Sequence, residues 1–157
     1  MPHASLPALH TLLEQAERER DAARAALRQA EDGERQAREQ AAQLARYRQD
    51  CLGRWGAQTG RAGTVAQLHC YHGFMQRLDQ ATGQQQRQCD SSAQRVAQAR
   101  EQLNAREMRA AAVRKLIERR LQAVQAQTDR RAQKQTDEAA QRSAWAQRAA
   151  APAAGNP

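Results

Sequence analysis

Residues 51–68, CLGRWGAQTGRAGTVAQL, gather Gly53, Gly56, Gly60 and Gly63 into one short run, and this run decides how the chain folds. On either side of it an apolar or small residue recurs at every seventh position. Before the break the ladder is Leu9, Ala16, Ala23, Ala30, Ala37, Leu44 and Cys51, widened by Leu12, Leu13, Ala26, Leu27 and Ala41. After it the ladder is Leu68, Met75, Thr82, Cys89, Val96, Leu103, Ala110, Ile117 and Val124, with Tyr71, Leu78, Ala99 and Val113 three residues further on. Sustained seven-residue periodicity marks a helical seam that needs a partner helix, and the nearest partner is the other seam.

The expected fold is therefore all-α: a long two-helix antiparallel coiled-coil hairpin whose second helix is longer than the first. Folding the chain back about Arg61 sets Leu44 against Leu78, Ala23 against Ala99 and Leu9 against Val113. The second helix then overhangs by roughly 25 to 30 residues, on the order of 40 Å at about 1.5 Å per residue. Leu116, Ile117, Leu121 and Val124 are expected to be exposed on that overhang, as a contact surface.

The pattern predicts a single coiled-coil domain over 1–157, with a helix at about 6–57, a turn at about 58–64, a helix at about 65–145 and a disordered tail at about 146–157. Ser5 is placed to cap the first helix, with Pro7 in its first turn, where a missing amide hydrogen costs little. Gly60 is the expected stop. Thr64 with Gln67 forms a capping box that restarts a helix at Val65. Gly33, Gly53, Gly73 and Gly83 fall inside the helices, and each weakens its helix by up to about 1 kcal/mol relative to Ala.

Composition supports the same fold. Ala, Gln, Arg and Glu dominate the 157 residues and aromatics make up 3%, the usage of long solvated helices. A seam made mostly of Ala buries little, at about 0.8 kcal/mol per methylene-sized group, so the isolated arms are expected to be marginally stable. No apolar run approaches the roughly 20 residues that span a bilayer, and the start has no charged region leading into an apolar one. A soluble, cytoplasmic protein is expected. Cys51, Cys70 and Cys89 are an odd set without paired spacing and read as reduced thiols.

The charge is +8 and unevenly spread. Arg106, Arg109, Arg114, Lys115, Arg119, Arg120, Arg130, Arg131, Lys134, Arg142 and Arg148 outnumber Glu107, Glu118, Asp129, Asp137 and Glu138, which makes the distal second arm basic. Tyr47, Trp55, Tyr71 and Phe74 instead lie near the break, leaving only Trp145 elsewhere. A coiled coil needs no aromatics. Rings collected at one end suggest a docking surface, the plainer alternative being that they cap the hairpin.

Tyr47 to Leu52, the glycines, then Leu68, Tyr71, Phe74, Leu78, Ala81 and Gln85, followed far downstream by Arg131, Gln133, Lys134, Asp137, Glu138 and Arg142, resemble the FliJ family of flagellar export proteins. The resemblance runs nearly the whole chain, and its specific parts are the tip pattern and the late Gln-Lys and Asp-Glu signature. It implies an antiparallel hairpin similar to the central stalk of rotary ATPases, in the cytoplasm and peripheral to the inner-membrane export apparatus. It implies partners as well: the hexameric flagellar export ATPase, the cytoplasmic domain of the export gate protein, and export chaperones. Carried over residue by residue, the gate-binding patch is Gln40, Leu44, Tyr47, Cys51, Phe74, Leu78, Ala81 and Gln85. The ATPase-binding segment is Arg131, Gln133, Lys134, Asp137, Glu138 and Arg142. Cys51 departs from the family, where a second tyrosine is common.

Helical spacing makes the patch physically coherent, because Gln40, Leu44, Tyr47 and Cys51 follow steps of four, three and four, as do Phe74, Leu78, Ala81 and Gln85. Leu44 and Leu78 also fit the seam. In the late segment, Lys134 with Asp137 and Glu138 also fits a solvated face laced with ion pairs. No phosphate-binding loop is present, and His69, Cys70 and His72 lack the second ligand cluster of a zinc site, so neither catalysis nor a cofactor is assigned. A basic nucleic-acid binder is the rival suggested by charge, but no base-reading motif appears and no nucleic acid is expected as a partner. The equivalent stalk of a virulence injectisome is the rival closer in kind. No direct membrane insertion is expected.

Overall fold

The computed structural model describes residues 4–58 and 63–152. Helix α1, Leu6–Gln58, and the longer helix α2, Val65–Ala150, pack antiparallel, so the fold is the expected all-α pair. Ser5 caps α1: its Oγ accepts from the Ala8 amide at 3.4 Å while its carbonyl accepts from the Leu9 amide at 3.0 Å. The capping box forms in both directions, with Gln67 N donating to Thr64 Oγ1 and Thr64 N donating to Gln67 Oε1, each at 3.3 Å. Two orphan amides at the start of α2 are thereby satisfied.

Two boundaries differ from the sequence reading. Gln58 is still helical, while Gly63 and Thr64 are not; Gly60, the expected stop, lies outside the described residues. Helix α2 runs past residue 145 to Ala150, because Ala146, Ala149 and Ala150 have the highest helix propensity and the first disruption is Pro152. The rest of the expected tail, residues 153–157, lies outside the described residues.

Contacts group the described residues into two compact units. The larger unit is Gln15–Ala110. Within it the helices run antiparallel: as α1 advances through Glu19, Glu31, Ala37, Arg48 and Trp55, their contacts on α2 step back through Arg106, Arg100, Gln85, Asp79 and Tyr71.

Its seam follows the ladders. Ala16, Ala37, Met75, Val96 and Ala110 are buried, and Ala23, Ala30, Leu44, Cys51, Thr82, Cys89 and Leu103 are half-buried. Leu68 is exposed, as is Ala26, which the sequence placed on the stripe. The row three residues after the α2 ladder also faces inward, and part of it is polar. Ser92 is buried there, and the half-buried Gln85 side chain donates to the Ala37 carbonyl at 2.8 Å. Ion pairs bridge the helices, among them Arg106–Glu19 at 2.9 Å and Arg48–Asp79 at 2.8 Å. Exposed pairs like these contribute only about 0.2–1 kcal/mol each, but they and the Gln85 bond select the antiparallel register over slipped ones.

The second unit holds the described residues up to Glu14 and those from Ala111 on. Its core is Leu9, Val113 and Ile117, with Leu6 and Leu13 packed against them. Ile117, expected to be exposed, is therefore buried, at 7% accessibility. The reason is that α1 begins at Leu6 and its first turn still covers that position. Leu116, Leu121 and Val124 are exposed as expected, and so is every described residue from Leu121 to Pro152.

Gly33 offers a direct test of helix propensity in this fold. A Cβ placed there meets nothing within 4 Å, inside an unbroken stretch of α1. Gly33→Ala is expected to stabilise the chain by about 0.5–1 kcal/mol, raising Tm by about 2–4 °C in a melt followed by circular dichroism. A lower Tm would show that the position needs glycine for a reason other than space.

Candidate functional site

The two rows proposed from spacing converge in the larger unit. Tyr47 on α1 and Phe74 on α2 meet edge-to-face, with centroids 6.2 Å apart and planes at 79°. About two to three turns away, Gln85 Nε2 donates to Gln40 Oε1 at 3.3 Å, tying the other ends of the rows together. The Arg48–Asp79 pair sits among them and holds the helices at that spacing.

The eight residues do not present equally to solvent. Tyr47 is 51% exposed and Phe74 38%, and Gln40 is exposed. Leu44, Cys51, Ala81 and Gln85 are half-buried. Leu78, at 6% accessibility, belongs to the seam, so it supports the patch from beneath and offers a partner almost no surface. An edge-to-face ring pair with one side open to water can still accept an apolar or hydrogen-bonding group, since both rings stay reachable.

Toward the turn the aromatic surface continues. Trp55 lies 4.4 Å from Tyr71 with planes at 35°, and Tyr71 lies 5.8 Å from His72. Val65, Leu68 and Leu52 are exposed in the same stretch of the unit. The clustering of rings beside the break was legible, but the sequence did not show that Trp55 and Tyr71 would pair with each other and leave Tyr47 and Phe74 as the open pair. Cys51, Cys70 and Cys89 are free thiols. Among the described residues no group of three or more His, Cys, Asp or Glu side chains converges as metal ligands would.

In the other unit, Arg131, Gln133, Lys134, Asp137, Glu138 and Arg142 all lie exposed on α2. Lys134 Nζ approaches Glu138 Oε1 at 4.0 Å, and Arg142 Nε donates to the Glu138 carbonyl at 3.3 Å. These are one-turn contacts along a single helix, and they leave both cationic heads facing water. The segment presents charge on a helix over which none of the described residues packs. Among the described residues no helix is long and apolar enough to cross a membrane.

The family described as Flagellar FliJ protein matches this chain over residues 5–149. No curated protein and no solved structure matches it.

Proposed function

We propose that the chain, which belongs to the flagellar FliJ protein family and so is a component of flagellar type III protein export, acts there as a non-enzymatic, stalk-like connector. In this reading the exposed distal part of α2 enters the hexameric export ATPase through Arg131, Gln133, Lys134, Asp137, Glu138 and Arg142. The Tyr47–Phe74 patch, with Gln40, Leu44, Cys51, Ala81 and Gln85, contacts the cytoplasmic domain of the export gate protein. Export chaperones are further partners, and the protein works in the cytoplasm at the periphery of the export apparatus.

The observation that carries the reading is the exposure of α2 from Leu121 to Ala150. A long lone helix gains nothing from tertiary packing, which supplies most helical stability in proteins, so a helix of this length is well explained by a surface outside the chain that covers it.

The two surfaces differ chemically, and salt separates them. Charge-mediated contacts weaken as the screening length falls from about 10 Å at about 0.1 M salt toward 3 Å at about 1 M, whereas burial of aromatic surface does not. ATPase affinity is expected to fall about tenfold between roughly 0.1 and 0.5 M sodium chloride, and gate affinity to change by less than about threefold. Co-purification at moderate salt followed by titration of each partner measures both. Recovery of neither partner, or the opposite salt ranking, would sink the assignment.

A further inference from the structure

Trp145 carries the largest apolar surface that neither docking segment accounts for. Its residue is 76% exposed, and it makes no ring contact among the described residues. Ala144, Ala146, Ala149 and Ala150 surround it in sequence, and their short side chains leave the indole standing clear of the helix. Arg142 and Arg148 lie three residues to either side, so they flank the ring on successive turns. With Glu138 and Gln141 they line an open groove on α2. Arg148 has no ion pair among the described residues, and Arg142 spends only its Nε on the Glu138 carbonyl.

An exposed tryptophan between two arginines has the composition of an interface anchor, since Trp and Arg dominate binding hot spots. The arginines define the chemistry of the complement: an apolar cleft deep enough for an indole, rimmed by carboxylates. Arg142 and Arg148 outnumber Glu138 around the groove and are the charged residues nearest the ring, so the groove favours an acidic partner over a basic one. We propose that Trp145 is the anchor of the ATPase contact, seating in an acid-rimmed apolar cleft of that partner with Arg142 and Arg148 paired to the rim. This rests on the reading above that the distal part of α2 meets the ATPase; it adds Trp145 and Arg148 to the contact and gives the facing surface its chemistry.

Tryptophan emission tests the assignment directly. Trp55 is the other tryptophan, so Trp55→Phe makes Trp145 the sole reporter. Adding purified export ATPase is expected to shift its emission to the blue and to saturate, while vesicles of phosphatidylglycerol leave it unchanged. In the otherwise natural chain, Trp145→Ala is expected to weaken ATPase binding about 30-fold, the effect of a hot-spot residue, and Trp145→Phe to recover much of it. Alanine is the better helix former at this exposed site, so folding does not confound the result. Unchanged affinity in Trp145→Ala, with the natural chain binding normally, overturns the anchor and leaves the stalk reading intact. Absence of ATPase binding by the natural chain overturns the stalk reading itself. A blue shift on vesicles but not on ATPase, or one that grows with the concentration of the chain alone, overturns the anchor by giving the ring to a lipid surface or to a second copy.

Discussion

Replacing both Tyr47 and Phe74 with alanine is expected to weaken binding to the cytoplasmic domain of the export gate by about 100-fold while ATPase binding stays as it was. The two rings are the most exposed apolar members of the patch, they touch each other at 6.2 Å, and each contributes one of the two helices to a continuous surface. Truncating either removes contact area and also half of an aromatic pair that orders the other, so the two losses are coupled and fall short of additive. Within the free chain that pair contributes about 0.5–1.5 kcal/mol, so a Tm lower by several degrees is part of the expected result. Met75 and Leu78 remain buried beneath, which keeps the helices paired. Tyr47→Phe retains the ring and separates hydrogen bonding from packing. Binding measured by calorimetry, beside circular dichroism of each variant, decides the matter: natural affinity in the folded double variant removes the gate from this patch.

What the sequence could show follows from what a seven-residue period measures. It reports the face on which a residue lies, so Leu9, Ala16, Ala37, Met75, Val96, Ala110 and Ile117 all reach the seam where the ladders put them. It does not report how far the partner helix extends. Ile117 was therefore assigned to the exposed overhang although the first turn of α1 covers it, and Leu68 was assigned to the seam although it is exposed. Polar residues are silent in a count of apolar positions, so nothing in the ladders marked Ser92, which is buried, or Gln85, which is half-buried and bonded to the Ala37 carbonyl. Both helix starts were legible because a cap is a local hydrogen bond between residues three apart. The end of α2 was not, since a run of Ala with one Gly and two Pro resembles a tail in composition while its first part has the strongest helix propensity of any residue.

The candidate sites divide along the same line. Helical spacing brought Gln40, Tyr47, Phe74 and Gln85 onto one face of the pair, because the hairpin register follows from the ladders. Whether a given side chain on that face is open or packed depends on atoms contributed by the opposite helix, which is why Leu78 is a support and Phe74 a surface. Along the distal part of α2 no opposite helix intervenes, and there the sequence reading of exposed charge carries over unchanged.

Ending the chain after Val124 is expected to abolish measurable ATPase binding and stimulation, a loss of at least about 100-fold. The cut removes Arg130, Arg131, Lys134, Arg142 and Arg148 together with Asp129, Asp137 and Glu138, and with them Trp145. It removes no buried side chain, because every described residue beyond Val124 is exposed. Leu9, Val113 and Ile117 keep their packing, so Tm is expected to move by no more than about 2–4 °C, the size of a 1 kcal/mol change in a chain of this length. Far-UV ellipticity per molecule drops by the share of helix removed, and ellipticity per residue stays close to that of the full chain. Gate binding is unaffected, since Tyr47 and Phe74 lie in the other unit. The pattern is the mirror image of the double alanine variant, and the two together form a test that a general loss of stability cannot imitate, because each variant must lose one partner and keep the other. Undiminished stimulation by the shortened chain would move the ATPase contact to residues up to Val124, where Met108, Leu116 and Leu121 are among the exposed apolar residues able to make it.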